Sequence, residues 1–563
     1  MFWPVRSIVF AVWLGGLGLA AQTVPAPPVL VKLLAGELER NFPILQKASE
    51  PPVYYLAFSV NDEESVLLSA SLGAIVSDTR IHRRMGECSL RAGTPELDSS
   101  HVVDGDRALF TATAALPLVD DPVALRLSFW RIADLAQRSA AQRYGQVLTA
   151  LKNKQAPATK TADFSIEPPR TSFTSPPVVK VNAEEWKTRL RKITLPFKES
   201  LAVISSSATM VYRREVKTLV NSEGTRLQHG RNFASLTISA RGKAADGEDL
   251  FANETFDAED PSHLPKDDVL LAAARKAVAT IEKLRRAPQA DPYAGPAILS
   301  GRAAGVFFHE IFGHRIEGHR QSDLQEGQTF SGSVGKPVLP EFLSVYSDPT
   351  LRSYAGVDLN GWYGFDDEGV PARRVALVES GILKTFLLSR TPAPGFAQSN
   401  GHGRKQAGYE ALSRQANLIV SPAHAVTETE LRRLLIDEVR HQGKAYGLYF
   451  EVVTGGFTNT RRESLQSFTV VPLVVYRVFA DGRPDELVRG ADIVGTPLTS
   501  FARILAASDT ASVFNGYCGA ESGQVPVSAA SPALLVSEIE IQRKRNSGDR
   551  PPLLTRPVEG SLQ

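Results

Sequence analysis

Cysteine is scarce in this chain, because Cys88 and Cys518 are the only two in 563 residues and allow one disulfide at most. Neither sign of charge is in excess, since 63 lysines and arginines stand against 61 aspartates and glutamates. The resulting net charge of +2 gives no compositional argument for a nucleic-acid partner, and we predict none. After the first 21 residues, no apolar run is long enough to span a bilayer.

The first 21 residues differ from the rest of the chain. Arg6 precedes an apolar run at residues 8–19, and the run is followed by Ala20 and Ala21. This order is typical of a cleavable secretory signal peptide. A membrane anchor is the alternative, but the run is short for one and contains several glycines. We therefore expect an exported protein, periplasmic or secreted, with no stable membrane span.

The chain is long enough to bury a large core and to form two domains, with 43% hydrophobic and 22% charged residues. Alternating β-branched and aromatic residues predict strands at 54–60 and 65–77, joined by a turn at Asn61-Asp62. Asp121-Pro122 predicts the start of a helix. Beyond residue 296, glycine and proline separate short apolar segments, which predicts a β-rich region.

These patterns predict an α+β fold in two domains. The first is a mixed α/β domain with an antiparallel sheet, and the second is β-rich. The predicted segments are a signal peptide at 1–21, the N-terminal domain at 28–295, the C-terminal domain at 296–543 and a flexible tail at 544–563.

Residues 301–319 concentrate metal-binding residue types and hold three of the ten histidines. His309, Glu310 and His314 form H-E-x-x-x-H, one residue longer than the H-E-x-x-H of many zinc enzymes. Five residues at about 100° each would place His314 about 140° around an ideal helix from His309. Two ligands of one metal therefore require a distorted helix, and Gly313 tolerates an unwound or π-bulged turn.

Histidine nitrogens can hold Zn²⁺, and an adjacent carboxylate can take a proton from its water. A competing interpretation is a buried amphipathic helix with incidental histidines, because Phe307 and Ile311 have the character of core residues. Glu317 and His319 are alternative third ligands. Glu317 could instead orient a ligand histidine from behind.

At these residues the chain resembles the TldD/PmbA family of zinc metallopeptidases, whose active members carry H-E-x-x-x-H. The resemblance covers residues 296–318 and a second segment at 517–527, which is similar to the family's C-G-x-x-G-Q-x-V-P-V with altered spacing. It implies that Cys518 joins His309 and His314 on zinc, with Glu310 as general base. A disulfide between Cys88 and Cys518 stays open, since an exported protein meets an oxidising compartment.

The resemblance also implies a function: a zinc-dependent metallopeptidase that cleaves peptides or unfolded protein segments through a zinc-activated water. The substrate would lie extended beside a strand, under stretches at 399–417 and 454–457 that resemble family loops over the cleft. Both stretches could instead be simple surface connections, and we expect His402 to be a solvated loop histidine. The protein would form a homodimer or a heterodimer with a paralogue. Two alternatives remain: a catalytically silent scaffold or substrate-binding subunit, and a structural zinc closed by Glu317 or His319.

Overall fold

The computed structural model describes residues 26–103, 105–153, 161–462, 468–495 and 501–544. The predicted signal peptide lies outside the described residues, and so does the predicted tail apart from its first residue. No helix within the described ranges is long and apolar enough to cross a membrane.

Two of the longer helices of the described chain begin at a polar capping residue. Asp121 Oδ1 accepts a hydrogen bond from the Ala124 backbone N–H at 2.8 Å, and Thr427 Oγ1 accepts one from Glu430 at 3.2 Å. Each satisfies a donor that the first helical turn leaves free. The helices are α1 (Val29–Ala48), α2 (Pro122–Lys152), α3 (Ala183–Ile193), α4 (Pro196–Glu199), α5 (Asp267–Arg286), α6 (Gly301–Ile311), α7 (His319–Ser322) and α8 (Glu428–His441).

An eight-stranded sheet occupies the first half of the chain. Its strands are β1 (Val53–Ser71), β2 (Ala74–Thr94), β3 (Leu97–Asp98), β4 (Ala112–Ala115), β5 (Thr171–Phe173), β6 (Ser205–Asn221), β7 (Arg226–Lys243) and β8 (Asp249–Ala258). The order is β3-β2-β1-β6-β7-β5, with β4 on β2 and β8 on β7. Every pairing is antiparallel except that of β5 with β7. One apolar cluster packs α1 and α2 on this sheet, and another packs α3 and α5.

The predicted turn at Asn61-Asp62 is wrong. β1 runs without a break through these residues, and the chain reverses at Leu72-Gly73, where both residues have positive φ. Asp62 pairs across the strands with His82 at 2.7 Å and Arg84 at 2.8 Å. In the sequence, two polar residues in the middle of a strand look like a turn. Here the partners of Asp62 lie on the neighbouring strand, so the local pattern gave a wrong prediction.

The second sheet has eleven strands and starts directly before α6. The strands of this half are β9 (Tyr293–Leu299), β10 (Leu343–Ser347), β11 (Ser353–Tyr354), β12 (Val357–Asp358), β13 (Val375–Glu379), β14 (Ile382–Leu383), β15 (Gly403–Arg404), β16 (Leu412–Ser413), β17 (Asn417–Pro422), β18 (Tyr446–Thr458), β19 (Phe468–Phe479), β20 (Glu486–Val488), β21 (Ala491–Gly495), β22 (Ile504–Ala520) and β23 (Gly523–Arg543). The sheet order is β14-β13-β10-β17-β23-β21-β19-β18-β9, with β20 on β19 and β22 on β23. The short pairs β11-β12 and β15-β16 stand apart.

The predicted α+β class is confirmed by this architecture. The first sheet uses strands between residues 53 and 258, and the second uses strands between residues 293 and 543. The domain bounds themselves stay a prediction. β23 is the central strand of the second sheet because it pairs with β17, β21, β22 and also β9.

Two glycines bring α6 unusually close to β23. A Cβ on Gly301 would stand 2.6 Å from the Ser531 carbonyl oxygen, and one on Gly305 would stand 2.9 Å from the Ala529 carbonyl oxygen. The glycines lie four residues apart and so share one helix face. The neighbouring apolar side chains, including Phe307, pack in the main core of this half. The position of α6 is therefore set by direct contact between helix and strand backbones.

We expect Gly305→Ala and Gly145→Ala to change stability in opposite directions, although both glycines lie inside α-helices. The alanine Cβ at 305 meets backbone at 2.9 Å, so the free energy of unfolding should fall by about 1–3 kcal/mol. Nothing lies within 4 Å of a Cβ at 145, so stability there should rise by about 0.5–1 kcal/mol. Urea unfolding followed by circular dichroism measures both, and a shift of the same sign in the two variants would contradict the packing described.

Candidate metal centre

The helix that carries His309 changes form before it reaches His314. α6 ends at Ile311, and residues Gly313–Ile316 form a 3-10 helix. The two imidazole centroids lie 5.2 Å apart, with their planes at 77°. The distortion expected between the two histidines is therefore present, as a tightened turn rather than a π-bulge.

Gly313 is needed for a different reason from the one the sequence suggests. It does not adopt a positive φ. A Cβ at this position would overlap the side-chain amide of Gln415. Gln415 in turn donates from Nε2 to the His309 carbonyl oxygen at 3.2 Å. The glycine thus makes room for a side chain that braces the first histidine.

Three side chains converge at the end of α6. One ligand atom each from His309, His314 and Cys518 lies within 4.8 Å of the others, and all three residues are buried. Cys518 Sγ, on β22, lies 3.3 Å from His314 Nε2. In the part of the chain that the structure describes, no other group of three His, Cys, Asp or Glu side chains is close enough to hold a metal ion.

His314 and Cys518 form a charged pair. Burial disfavours the imidazolium, but the Cys518 thiolate and the Glu317 carboxylate outweigh it and raise the pKa of His314 to about 10. Burial also disfavours the thiolate, yet His314, Arg414 and His309 hold the pKa of Cys518 well below its ordinary value. The surroundings therefore stabilise the thiolate, which is the form of cysteine that binds metals.

Glu317 lies behind His314 and is completely buried. Its Oε2 is 3.4 Å from His314 Nδ1 and accepts a hydrogen bond from Arg320 Nε at 2.9 Å. His314 therefore presents Nε2 to the thiolate and Nδ1 to a carboxylate, the arrangement by which proteins orient a ligand histidine. Burial acts against the charge of Glu317, but His314 and Arg320 keep the pKa of its carboxyl below the usual range.

The alternative third ligands do not enter the cluster of ligand atoms. Glu317 is engaged as just described, and the His319 side chain is buried outside the group. Burial together with Arg320 and Arg107 holds the pKa of His319 well below its usual value. The alternative disulfide is not formed, because Cys88 and Cys518 are both free and buried.

The stretch at 399–417 is largely buried and contains the short strands β15 and β16. His402 is completely buried, its Nε2 lies 2.9 Å from Ser347 Oγ, and burial lowers its pKa to about 3. The expectation of a solvated histidine is therefore wrong. Arg414, in the same stretch, donates from Nη2 to the Cys518 carbonyl oxygen at 2.7 Å. Sequence reasoning missed this role because the acceptor is a backbone oxygen 104 residues away, which leaves no motif.

The predicted loop at 454–457 is the end of strand β18. Gly456 pairs with Val470 of β19, and a Cβ on it would stand 2.6 Å from Glu310 Cγ. Glu310 Oε2 lies 4.0 Å from His314 Nε2 but belongs outside the ligand group. A glycine-rich strand therefore passes directly beside the Glu310 carboxylate.

Two imidazoles and a thiolate are a donor set that zinc prefers, and three protein ligands leave one tetrahedral position open. Ligand atoms on a tetrahedral zinc stand roughly 3.3–3.7 Å apart. The 3.3 Å between Cys518 Sγ and His314 Nε2 matches that spacing. The residues present therefore fit Zn²⁺.

Comparison with known proteins points in the same direction. Residues 293–543 match the model of the PmbA/TldA metallopeptidase C-terminal domain. A metalloprotease of Archaeoglobus fulgidus is 29% identical over 238 residues, which cover 42% of this chain and 51% of that protein. A zinc metalloprotease TldD homolog of Saccharolobus solfataricus is 27% identical over 260 residues, covering 45% of this chain and 52% of that protein. The chain thus spans about half the length of these curated relatives.

The fold as a whole is shared with a solved structure. TldE from Thermococcus kodakarensis superposes with a TM-score of 0.57 and 14% identity, over 90% of this chain and 100% of that one. At this identity the likeness concerns the fold.

The charged pair predicts an unusual thiolate in protein stripped of metal by a chelator. Because the pKa of Cys518 is lowered, its thiolate should persist over the pH range below about 9, where an ordinary thiol is protonated, whereas burial raises the pKa of Cys88. The ultraviolet absorbance of a thiolate should therefore stay constant over this range in the native protein and in Cys88→Ala, and be missing in Cys518→Ala. An absorbance that appears only with a midpoint near pH 9 would contradict the pairing.

Proposed function

We propose that this protein, which belongs to the TldD/PmbA family, is a zinc-dependent metallopeptidase acting on peptides or unfolded protein segments. One observation carries the proposal: His309, His314 and Cys518 converge within 4.8 Å, while Glu310 stands 4.0 Å from His314 and outside the ligand group. That separation of ligands from a neighbouring carboxylate is what a catalytic zinc site requires, and a purely structural site does not need it.

The ligands would be His309, His314 and Cys518. When bound there, zinc would supply the acidity that makes a water nucleophilic and would polarise the scissile carbonyl. Glu310 would accept the proton of the attacking water and return it to the departing amine. A thiolate donates more charge than an imidazole, so the water would be less acidic than in a three-histidine site and would depend more on Glu310.

Arg315 holds the end of α6 against the end of strand β18. Its Nη1 donates to the carbonyl oxygens of Glu310 at 3.2 Å and Ile311 at 3.0 Å, and to Thr458 Oγ1 at 2.9 Å. The first two acceptors belong to the last turn of the helix, where carbonyls lack intrahelical donors. The third lies at the end of β18. The general base and the glycine-rich strand are therefore fixed to each other by one buried side chain.

The end of β18 is the best place for an extended substrate. β9 pairs with this strand only along Leu448–Phe450, so within the described residues no strand covers that side from residue 451 onward. No atom lies within 4 Å of a Cβ built on Gly455, and Phe457 is 70% exposed. A peptide added here would gain main-chain hydrogen bonds with little dependence on its sequence, which suits unfolded segments.

The edge of β22 is less suitable, although this strand carries Cys518. The Gly516 carbonyl oxygen accepts a hydrogen bond from Asn360 Nδ2 at 2.7 Å, and the Cys518 carbonyl oxygen accepts the one from Arg414. Backbone acceptors next to the ligand are thus already occupied by side chains. The substrate would approach Glu310 from the β18 side.

Partners and location belong to the same proposal. The resemblance to the family implies a homodimer or a heterodimer with a paralogue, and we include this in the proposal. The composition of residues 1–21 supports export to the periplasm or beyond. The alternative function is a catalytically silent scaffold of such a complex, and it is less favoured because the ligands and Glu310 occur together.

We expect Glu310→Gln to separate catalysis from metal binding. The amide cannot accept the proton, so hydrolysis of unfolded casein or of a quenched fluorescent peptide library should fall by about 10²–10⁴-fold. Zinc content by mass spectrometry should stay at one per chain. Equal hydrolysis by the variant would refute the base role, and no hydrolysis by zinc-loaded native protein would favour the silent scaffold.

Two adjacent glycines of β18 allow a matched test of the strand. In Gly456→Ala, the new Cβ meets Glu310 Cγ at 2.6 Å and should displace the carboxylate, lowering kcat/KM at least about tenfold with zinc retained. In Gly455→Ala, nothing lies within 4 Å, so kcat/KM should stay within about twofold. Steady-state peptide hydrolysis measures both. Equal activity in the two variants would mean that β18 does not position Glu310.

A further inference from the structure

Arg414 is buried with no exposed side-chain surface and clamps the hairpin that carries Cys518. Nη2 donates to the Cys518 carbonyl oxygen at 2.7 Å, and Nη1 donates to Ser522 Oγ at 2.9 Å and to the Gly523 carbonyl oxygen at 3.1 Å. These acceptors lie on both strands and on the turn between β22 and β23. A guanidinium presents its donors in a rigid planar fork, so the three bonds together fix the shape of the hairpin end.

The same guanidinium reaches the second ligand through a carboxylate. Arg414 Nε lies 3.4 Å from Glu317 Oε1, and Glu317 Oε2 faces His314 Nδ1 at 3.4 Å. Arg414 therefore contacts the backbone of one proposed ligand directly and lies one residue away from the ring of another. The next residue, Gln415, donates to the carbonyl of His309 at 3.2 Å. One short segment thus supports all three ligands.

Charge balance for Glu317 does not explain Arg414. Arg320 already donates to Glu317 at 2.9 Å, a true hydrogen bond, whereas the approach of Arg414 to Glu317 is longer. The short bonds of Arg414 go to neutral oxygens around Cys518. A buried arginine whose best acceptors surround a ligand cysteine is arranged to hold that cysteine in place.

We infer that Arg414 is a positioning residue of the metal centre, which sets metal affinity by holding Cys518 directly and His314 through Glu317. The inference rests on the proposed zinc site and adds a residue to it. In this role Arg414 acts through the residues that it holds. Loss of such a supporting contact typically lowers metal affinity 10–100-fold, so we expect a decrease of about this size when the fork is removed.

The test compares two fully buried arginines. Arg414→Lys keeps the positive charge but removes the fork. Arg390→Lys makes the same change where the guanidinium donates to the Ser165 carbonyl oxygen and pairs with Glu223 at 2.6 Å. Zinc affinity is measured by competition with a chelator, on the folded protein well below its Tm. We expect the Kd for zinc to rise about 10–100-fold in Arg414→Lys and to stay within about twofold in Arg390→Lys.

Loading with Co²⁺ gives a spectroscopic measurement that a general loss of stability does not change. In protein loaded with Co²⁺, the thiolate-to-metal charge-transfer band reports the contact with Cys518 itself. The band should shift or weaken in Arg414→Lys and remain native in Arg390→Lys. If Arg414→Lys does not fold, Ser522→Ala removes one acceptor of the fork without changing charge, and should show the same effects to a smaller degree.

The possible results distinguish a failure of the positioning role of Arg414 from a failure of the proposed zinc site. If the native protein binds zinc tightly, and the zinc affinity and cobalt spectrum are unchanged in Arg414→Lys, the positioning role alone is overturned. If Arg414→Lys does not fold, the same result in Ser522→Ala overturns that role. Native protein that binds no zinc overturns the metal centre and the role together. Equal losses of zinc affinity in Arg414→Lys and Arg390→Lys would show a global effect of removing a buried arginine and would also overturn the role.

Discussion

The site depends on the close backbone contact between α6 and β23. Gly301 and Gly305 let the helix lie against the strand, with Gly305 so near that an added Cβ would stand 2.9 Å from the Ala529 carbonyl oxygen. β23 is also the partner of β22, so the same strand fixes the position of Cys518. Two ligands from the end of a helix and one from a distant strand can therefore meet. A looser helix would move the histidines away from Cys518, and one zinc ion could no longer contact all three.

The charges around the three converging side chains then determine whether they can hold a metal ion. Buried charges are costly unless they are paired, and four charged side chains at the site form a chain of pairs. The Cys518 thiolate faces His314, His314 faces Glu317, and Glu317 faces Arg320. Arg320 also pairs with Glu521, beside the hairpin turn that follows Cys518. The surroundings keep Cys518 as the thiolate that binds metals, and His314 would release its proton when zinc binds.

The sequence predicted the fold class and the distortion between His309 and His314 because these depend on local pattern, whereas Cys518 entered only through the family resemblance. Four of the eight described α-helices start after a side-chain cap, and two ligands at the spacing of H-E-x-x-x-H require the break that occurs near Gly313. The failures share one physical cause, which is contact between distant parts of the chain. Asp62 resembles a turn residue because its partners are on β2, and Arg414 carries no motif because it binds backbone oxygens. His402 likewise gave no sign of burial, since its contact is Ser347.

The central claim is that one thiolate and two imidazoles hold an ion with one position left open. Zinc K-edge X-ray absorption of the zinc-loaded mature protein tests it most directly. The account predicts one sulfur at about 2.3 Å, two imidazole nitrogens at about 2.0–2.1 Å and one further light atom from solvent. A shell without sulfur would remove Cys518 from the site. A shell closed by a fourth protein ligand would contradict the catalytic assignment.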